Sequence, residues 1–269
     1  MAELVDLYSK GIKRELKNYW AAWLPSTRWS VGDVGTLNGY VFEKVGTLTE
    51  LGMKYYAESD DNASPLDISS GSNVALSFKS SGETNAAFSY VAEADAGLKI
   101  DFGSKGAFVI QAPETFESAL ADRPNLQFQI RRAYAERRWE KDWLVVTRLI
   151  KAPSATVLIS KSVDASLELS AKANLSGVVA ALGSAKAGLA VKYQKGDTIS
   201  IIGGQNITPL FQLSRLKTAI FDEPKLLIKS ARASDPSIFR LNPDLARDDD
   251  TVRDSLVFET LSDDELLEK

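Results

Sequence analysis

The chain has 269 residues, 44% hydrophobic and 25% charged, with a formal net charge of −4 at neutral pH; these values are ordinary for a soluble globular protein of one large or two small domains. It contains no Cys and no His, which excludes disulfides, thiol nucleophiles, thiolate or imidazole metal sites and Ser-His-Asp triads. Carboxylate-only chemistry stays open, but no acidic pair is framed by a motif and the P-loop, GxSxG and GxGxxG patterns are missing, so no catalytic residue, metal or cofactor is expected. No run approaches the roughly 18 apolar residues of a membrane-spanning helix. Lys10, Lys13, Arg14 and Lys17 interrupt any signal-like apolar stretch, and a cytosolic protein is expected.

Residues 2–24 read as an amphipathic helix: Leu4, Val5, Tyr8, Ile12, Leu16, Tyr19 and Trp23 follow helical steps, and Pro25 ends it. Its cations fit a membrane surface, or simply the solvated side of a helix packed on a sheet. Residues 26–52 are turn-rich, and Asn38-Gly39 predicts a hairpin. Thr47 to Leu51 fit one helical turn, and residues 58–72 read as a loop.

Two regions, about 70–112 and 154–203, alternate with period two, so each strand has an apolar and a polar face. In the first, Val74, Leu76 and Phe78 oppose Ala75, Ser77 and Lys79, and Leu98, Ile100 and Phe102 oppose Lys99 and Asp101. In the second, Ala165, Leu167 and Leu169 oppose Ser166, Glu168 and Ser170, and after a small-residue middle Leu189, Val191 and Tyr193 oppose Ala190 and Lys192. Such strands line a soluble core, or face lipid on one side and water on the other.

Between these regions, residues 113–143 are expected to be helical, opened by Pro113-Glu114 and broken near Pro124, with Phe116, Leu120, Phe128, Ile130, Tyr134 and Trp139 apolar. Arg131, Arg132, Arg137, Arg138 and Lys141 form a basic cluster that suits anionic headgroups or solvated salt bridges. Nucleic acid is not expected, because no binding motif accompanies the cluster. The apolar run 143–151 predicts a central strand buried on both faces. Pro209 places residues 208–216 on a sheet edge. From Asp244 onward the chain carries a net −7, which leaves the body at +3. Within this acidic tail Leu256, Val257, Phe258 and Leu261 form an apolar island, suited to docking on the body.

Residues 144–151 (LVVTRLIK) and 203–216 (GGQNITPLFQLSRL), with two alternating hairpin regions flanking a helical middle, resemble the pore-forming domain of gasdermins, particularly the compact bacterial ones, over about residues 45–221. The resemblance implies an α+β fold with a twisted, mostly antiparallel sheet and flanking helices. The chain is read as an N-terminal amphipathic helix (1–25), a gasdermin-like domain (26–230) and an acidic C-terminal tail (231–269), which the resemblance makes inhibitory. It further implies a bacterial defence or cell-death effector, autoinhibited in the cytosol, that moves to the inner membrane when a protease removes the tail. There it would oligomerise with copies of itself among membrane lipids. The expected membrane-inserting residues are Leu98, Ile100, Phe102, Leu167, Leu169, Leu189 and Val191. Lys10, Lys13, Arg14, Arg131, Arg132, Arg137 and Arg138 would meet headgroups, and Leu256, Val257, Phe258 and Leu261 would anchor the tail. Asp at Leu167 or Leu169 would then abolish permeabilisation. The other open reading is a binding module that engages a protein partner through its N-terminal helix or tail.

Overall fold

The computed structural model describes residues 2–79, 97–170, 190–218 and 256–261. In chain order they form α1 (Ala2–Glu15), β1 (Trp20–Ala21), β2 (Asp33–Asn38), β3 (Val41–Thr47), β4 (Ala57–Ser59), β5 (Ser64–Ser69), a 3-10 turn (Gly71–Asn73), β6 (Val74–Lys79), β7 (Gly97–Phe102) and β8 (Phe108–Leu120). There follow α2 (Arg123–Ala135), β9 (Leu144–Ser160), β10 (Ala165–Ser170), β11 (Ala190–Lys195), β12 (Thr198–Thr218) and β13 (Leu256–Thr260). The fold is α+β with a mostly antiparallel sheet.

β9 is the middle of the molecule. The continuous run Leu144-Val145-Val146 is buried on both faces, as an internal strand requires. β12 lies along one side of β9. On the other side β2 meets its first residues and β8 the remainder, and β5 and β4 follow on β8. A smaller sheet has the order β11-β10-β7-β6.

Three apolar clusters fix the layers. α1 lays Leu4, Tyr8 and Ile12 on Phe108, Ile110, Val157 and Ile159 of the large sheet. The small sheet lays Leu98, Ile100, Phe102, Leu167 and Leu169 on Val109 and Leu158, which project from the opposite face of the same strands. α2 covers the far end with Leu126 and Ile130, against Val145, Leu213 and Phe42.

Several elements differ from the expectation, each for a local reason. The first helix stops at Glu15, not Pro25, because Trp20 and Ala21 pair with Phe211 and Leu210 and extend the sheet. Residues 58–72 are not a loop: β4 and β5 pair with β8, and Pro65 is tolerated because β5 has no partner on its outer side among the described residues. Residues 113–120 continue β8 rather than opening a helix. The β8–β9 ladder skips from Gln111↔Thr156 to Phe116↔Lys151, and both Pro113 and Pro153 fall in that gap, where no N–H is missed. Pro124 starts α2 instead of breaking it. Asp122 caps the helix by accepting from the Asn125 N–H at 3.1 Å, and proline fits the first turn. Residues 208–216 are not an edge: β12 has β9 on one side and β1 and β13 on the other, and Pro209 sits where the β9 register shifts. The Asn38-Gly39 hairpin forms between β2 and β3, with Gly39 at φ +59°.

In that hairpin Gly35 lies against the opposite backbone, where a Cβ would sit 2.1 Å from the Glu43 carbonyl oxygen. Gly35→Ala must push two strands apart and is expected to cost about 2 kcal/mol or more. Thermal melting should fall by several degrees; an unchanged midpoint would show that the hairpin yields freely.

Candidate fold line, amphipathic sheet and tail strand

Each strand of the small sheet is joined to a strand of the large one by a short corner: β5 to β6, β7 to β8, β9 to β10 and β11 to β12. The large-sheet order β12-β9-β8-β5 is matched by β11-β10-β7-β6 in the small sheet. The small sheet is therefore four strands of the large sheet, folded back on themselves together.

The four corners lie side by side and are hydrogen-bonded in series. Ser70 N–H donates to the Phe108 carbonyl at 3.1 Å, and Gly103 N–H to Asn73 at 2.9 Å. Gly106 N–H donates to the Ser160 carbonyl at 2.9 Å, and Ser160 N–H returns to Ala107 at 2.8 Å. Lys161 N–H donates to Asp197 at 2.8 Å, and Asp197 N–H to the Ser162 hydroxyl at 3.0 Å. Every corner contains one residue with left-handed backbone: Gly71 at φ +58°, Gly106 at +81°, Asp164 at +56° and Gly196 at +74°. A regular strand excludes that conformation; β12 holds it only at Gly203 (φ +62°) and Asn206 (+52°), in the irregular stretch of its ladder with β9.

The small sheet is amphipathic. Its inner face holds Leu98, Ile100, Phe102, Leu167 and Leu169, all buried. Its outer face carries a charge ladder: Lys99 is in register with Glu168 and pairs with Asp101 at 2.8 Å. Burial raises the Asp101 pKa, but the hydrogen bond from Lys99 and the charges of Lys99 and Lys195 prevail and hold the carboxyl below its ordinary range. One face is thus apolar and the other suited to water.

β11 departs from simple alternation. Val191 pairs with Leu169, yet Tyr193 pairs with Glu168, leaving Lys192 as the extra residue of a bulge. Val191 therefore shares the inner face with Leu169, and Tyr193 lies on the charged face with Glu168, where strict alternation would put both on one side. Leu189 lies outside the described residues. Leu167 and Leu169 are 0% exposed, so Asp at either position breaks the closed fold itself and reports on more than membrane contact.

The tail strand β13 pairs antiparallel with β12, from Ser214↔Thr260 to Thr218↔Leu256. Phe258 and Leu261 are buried beside Leu126, Leu213 and Leu216. Phe258 N–H donates to Gln127 Oε1 at 3.2 Å and Leu261 N–H to the Leu213 carbonyl at 2.8 Å. Arg123 reaches Thr260 at 3.5 Å. Burial, and then the charge of Arg148, lower the Arg123 pKa. Leu256 and Val257 belong to the strand.

The expected headgroup cations lie on α1, on α2 and just beyond α2, and one of them is buried. Lys13 is 5% exposed, with its Nζ 3.3 Å from the Trp20 ring centroid, so it stabilises the interior by a cation–π contact and is withheld from any surface in this conformation. Lys10 and Arg14 are exposed on α1, and Arg131 is half-buried on α2. Arg132 and Arg138 both pair with Glu136, and Arg137 is exposed just beyond α2. Phe128, one of the apolar positions expected in the helical middle, is 66% exposed. No helix among the described residues is long and apolar enough to cross a membrane.

No family model and no curated protein matches the sequence. Among solved structures, a cryo-EM structure of the gasdermin A3 membrane pore is similar at 10% identity, over 83% of this chain and 95% of that one, with a TM-score of 0.31.

Proposed function

We propose that the protein is an autoinhibited pore-forming effector of bacterial defence, held in the cytosol until its tail is released or cut by a protease. On release the four corners straighten, the apolar face of the small sheet enters an anionic inner membrane, and copies of the chain assemble into a closed barrel. The fold line supports this reading. Four strands that turn back together, in matching order, can straighten together into two long adjacent hairpins without any change of neighbours. A membrane strand needs about 9–11 residues, which each joined pair supplies.

Two energetic points favour a membrane as the destination. In water, opening the small sheet would expose buried Leu, Ile and Phe side chains at roughly 1.5–3 kcal/mol each; in lipid that cost vanishes. The outer edges of β6 and β11 would then be unpaired, which lipid does not tolerate. Four strands are an even number, so β6 of one copy meets β11 of the next in antiparallel fashion, and the repeat can close into a ring.

The test uses the bulge in β11. Val191 and Tyr193 are both half exposed in the closed fold, at 46% and 54%, so Asp at either leaves folding nearly untouched. A protease site is placed near Ser230 and cut in the folded protein, with dye release from anionic liposomes as the readout. Val191→Asp should abolish leakage, and Tyr193→Asp should leave it within about twofold, since a carboxylate on the lipid face is penalised on every strand of the ring, by less than the roughly 2–4 kcal/mol that Lys or Arg costs at mid-membrane, whereas the water face tolerates it. Equal leakage from both would overturn the assignment of faces. No leakage from cut but folded wild-type protein would favour the binding module, with the β12 edge as its peptide groove.

A further inference from the structure

α1 covers the large sheet with Leu4, Tyr8 and Ile12, and beside that buried face a second, partly exposed stripe meets one corner. Glu3, Leu7 and Gly11 form a single stripe at four-residue spacing. Glu3 pairs with Lys105 at 2.5 Å. Leu7 rests on Gly106 so closely that a Cβ there would lie 2.5 Å from the Leu7 Cβ. Gly11 rests on Phe108, where its own Cβ would lie 2.7 Å from the ring. A mid-helix glycine costs about 0.5–1 kcal/mol relative to alanine; here it lets the helix settle onto the corner. The exposed ion pair contributes little, so the close approach at Leu7 and Gly11 dominates. The helix is secured separately at its other end, by Lys13 over Trp20.

We propose that α1 is a latch on the fold line: its Glu3-Leu7-Gly11 stripe holds the corner between β7 and β8 folded, and the four corners cannot straighten until that stripe lifts. The proposal rests on the pore reading for what straightening achieves. Its mechanical part follows from the hydrogen bonds alone. The held corner is bonded to Ser70 and Asn73 on one side and to Ser160 on the other, and the third corner is bonded to Asp197 of the fourth. A restraint on the second corner is therefore passed to corners that α1 does not touch.

Two experiments test the latch. The first measures amide hydrogen exchange in the full chain carrying Gly11→Ala, a substitution that raises helix propensity and lifts the stripe, because its Cβ would lie 2.7 Å from the Phe108 ring. The latch predicts exchange about tenfold faster at Gly106 and Phe108, and also at Lys161 and Asp197, with the β2–β3 hairpin unchanged. Acceleration confined to residues 105–108 would mean simple packing and would overturn it. The second uses the absence of native cysteine. Glu3→Cys with Lys105→Cys is bridged by a cleavable thiol cross-linker, and the tail is then cut. Bridged protein should release no dye, and cleaving the bridge should restore release; equal leakage in both states overturns the latch. If neither state leaks although unbridged wild type is also silent, the pore reading fails, and the exchange pattern alone decides the latch.

Discussion

Phe258→Asp in the intact chain is expected to produce permeabilisation without any proteolysis. Phe258 is 7% exposed, in register with the buried Leu216, and packed with Leu126 of α2. Removing a buried phenylalanine costs about 3–5 kcal/mol, and a carboxylate in its place adds a desolvation penalty. Each 1.4 kcal/mol is a factor of ten, so the tail should shift from docked to undocked by at least about a hundredfold. Dye release from intact Phe258→Asp should approach that of cut wild type, and the Leu261 amide, bonded to Leu213, should lose its exchange protection. Thr260→Ala is the contrasting variant: its bond from Arg123 is long at 3.5 Å, and its loss should leave the intact chain silent. An intact Phe258→Asp protein with an unprotected tail that releases no dye would show that docking of β13 is not the restraint.

Much of this architecture is written in local pattern. The period-two alternation around Leu98, Ile100, Phe102, Leu167 and Leu169 identified the buried face of the small sheet, because side-chain direction in a strand depends only on parity. The run at 144–151 identified the central strand, and Asn38-Gly39 the first hairpin. What escaped was decided at a distance. Trp20 leaves the helical pattern because β12 offers a free edge. Pro113 stays in a strand because Pro153 lies in the same gap of the ladder. Lys13 looks like a surface cation until Trp20 is placed beneath it. The bulge at Lys192, which parts Tyr193 from Val191, has no sequence mark at all. The corners are the most instructive. In sequence nothing distinguishes Gly71, Gly106 and Gly196 from other turn glycines; only the matching order of two sheets sets them side by side.

Under the proposed straightening, the corners make an opposed pair of predictions. Gly71 has φ +58°, and a Cβ there would meet nothing within 4 Å, so Gly71→Val meets no clash and acts through the backbone alone. Left-handed backbone costs an ordinary L-residue about 1–2 kcal/mol, and a β-branched one tolerates it least. The folded corner loses that much, whereas a straightened strand favours valine. Asp164 holds the same conformation at φ +56° with a side chain, and Asp164→Gly relieves it, favouring the corner over the strand. With the tail cut, Gly71→Val should speed dye release about tenfold and Asp164→Gly should slow it several-fold, if straightening precedes insertion. General destabilisation is separated from hinge bias by Gly39, which has φ +59° and equally open surroundings but lies in the β2–β3 hairpin, off the fold line. Gly39→Val should lower the melting temperature about as much as Gly71→Val and leave the leakage rate unchanged. If Gly39→Val accelerates leakage as strongly as Gly71→Val, the rate follows global stability, and the corners are turns like any others.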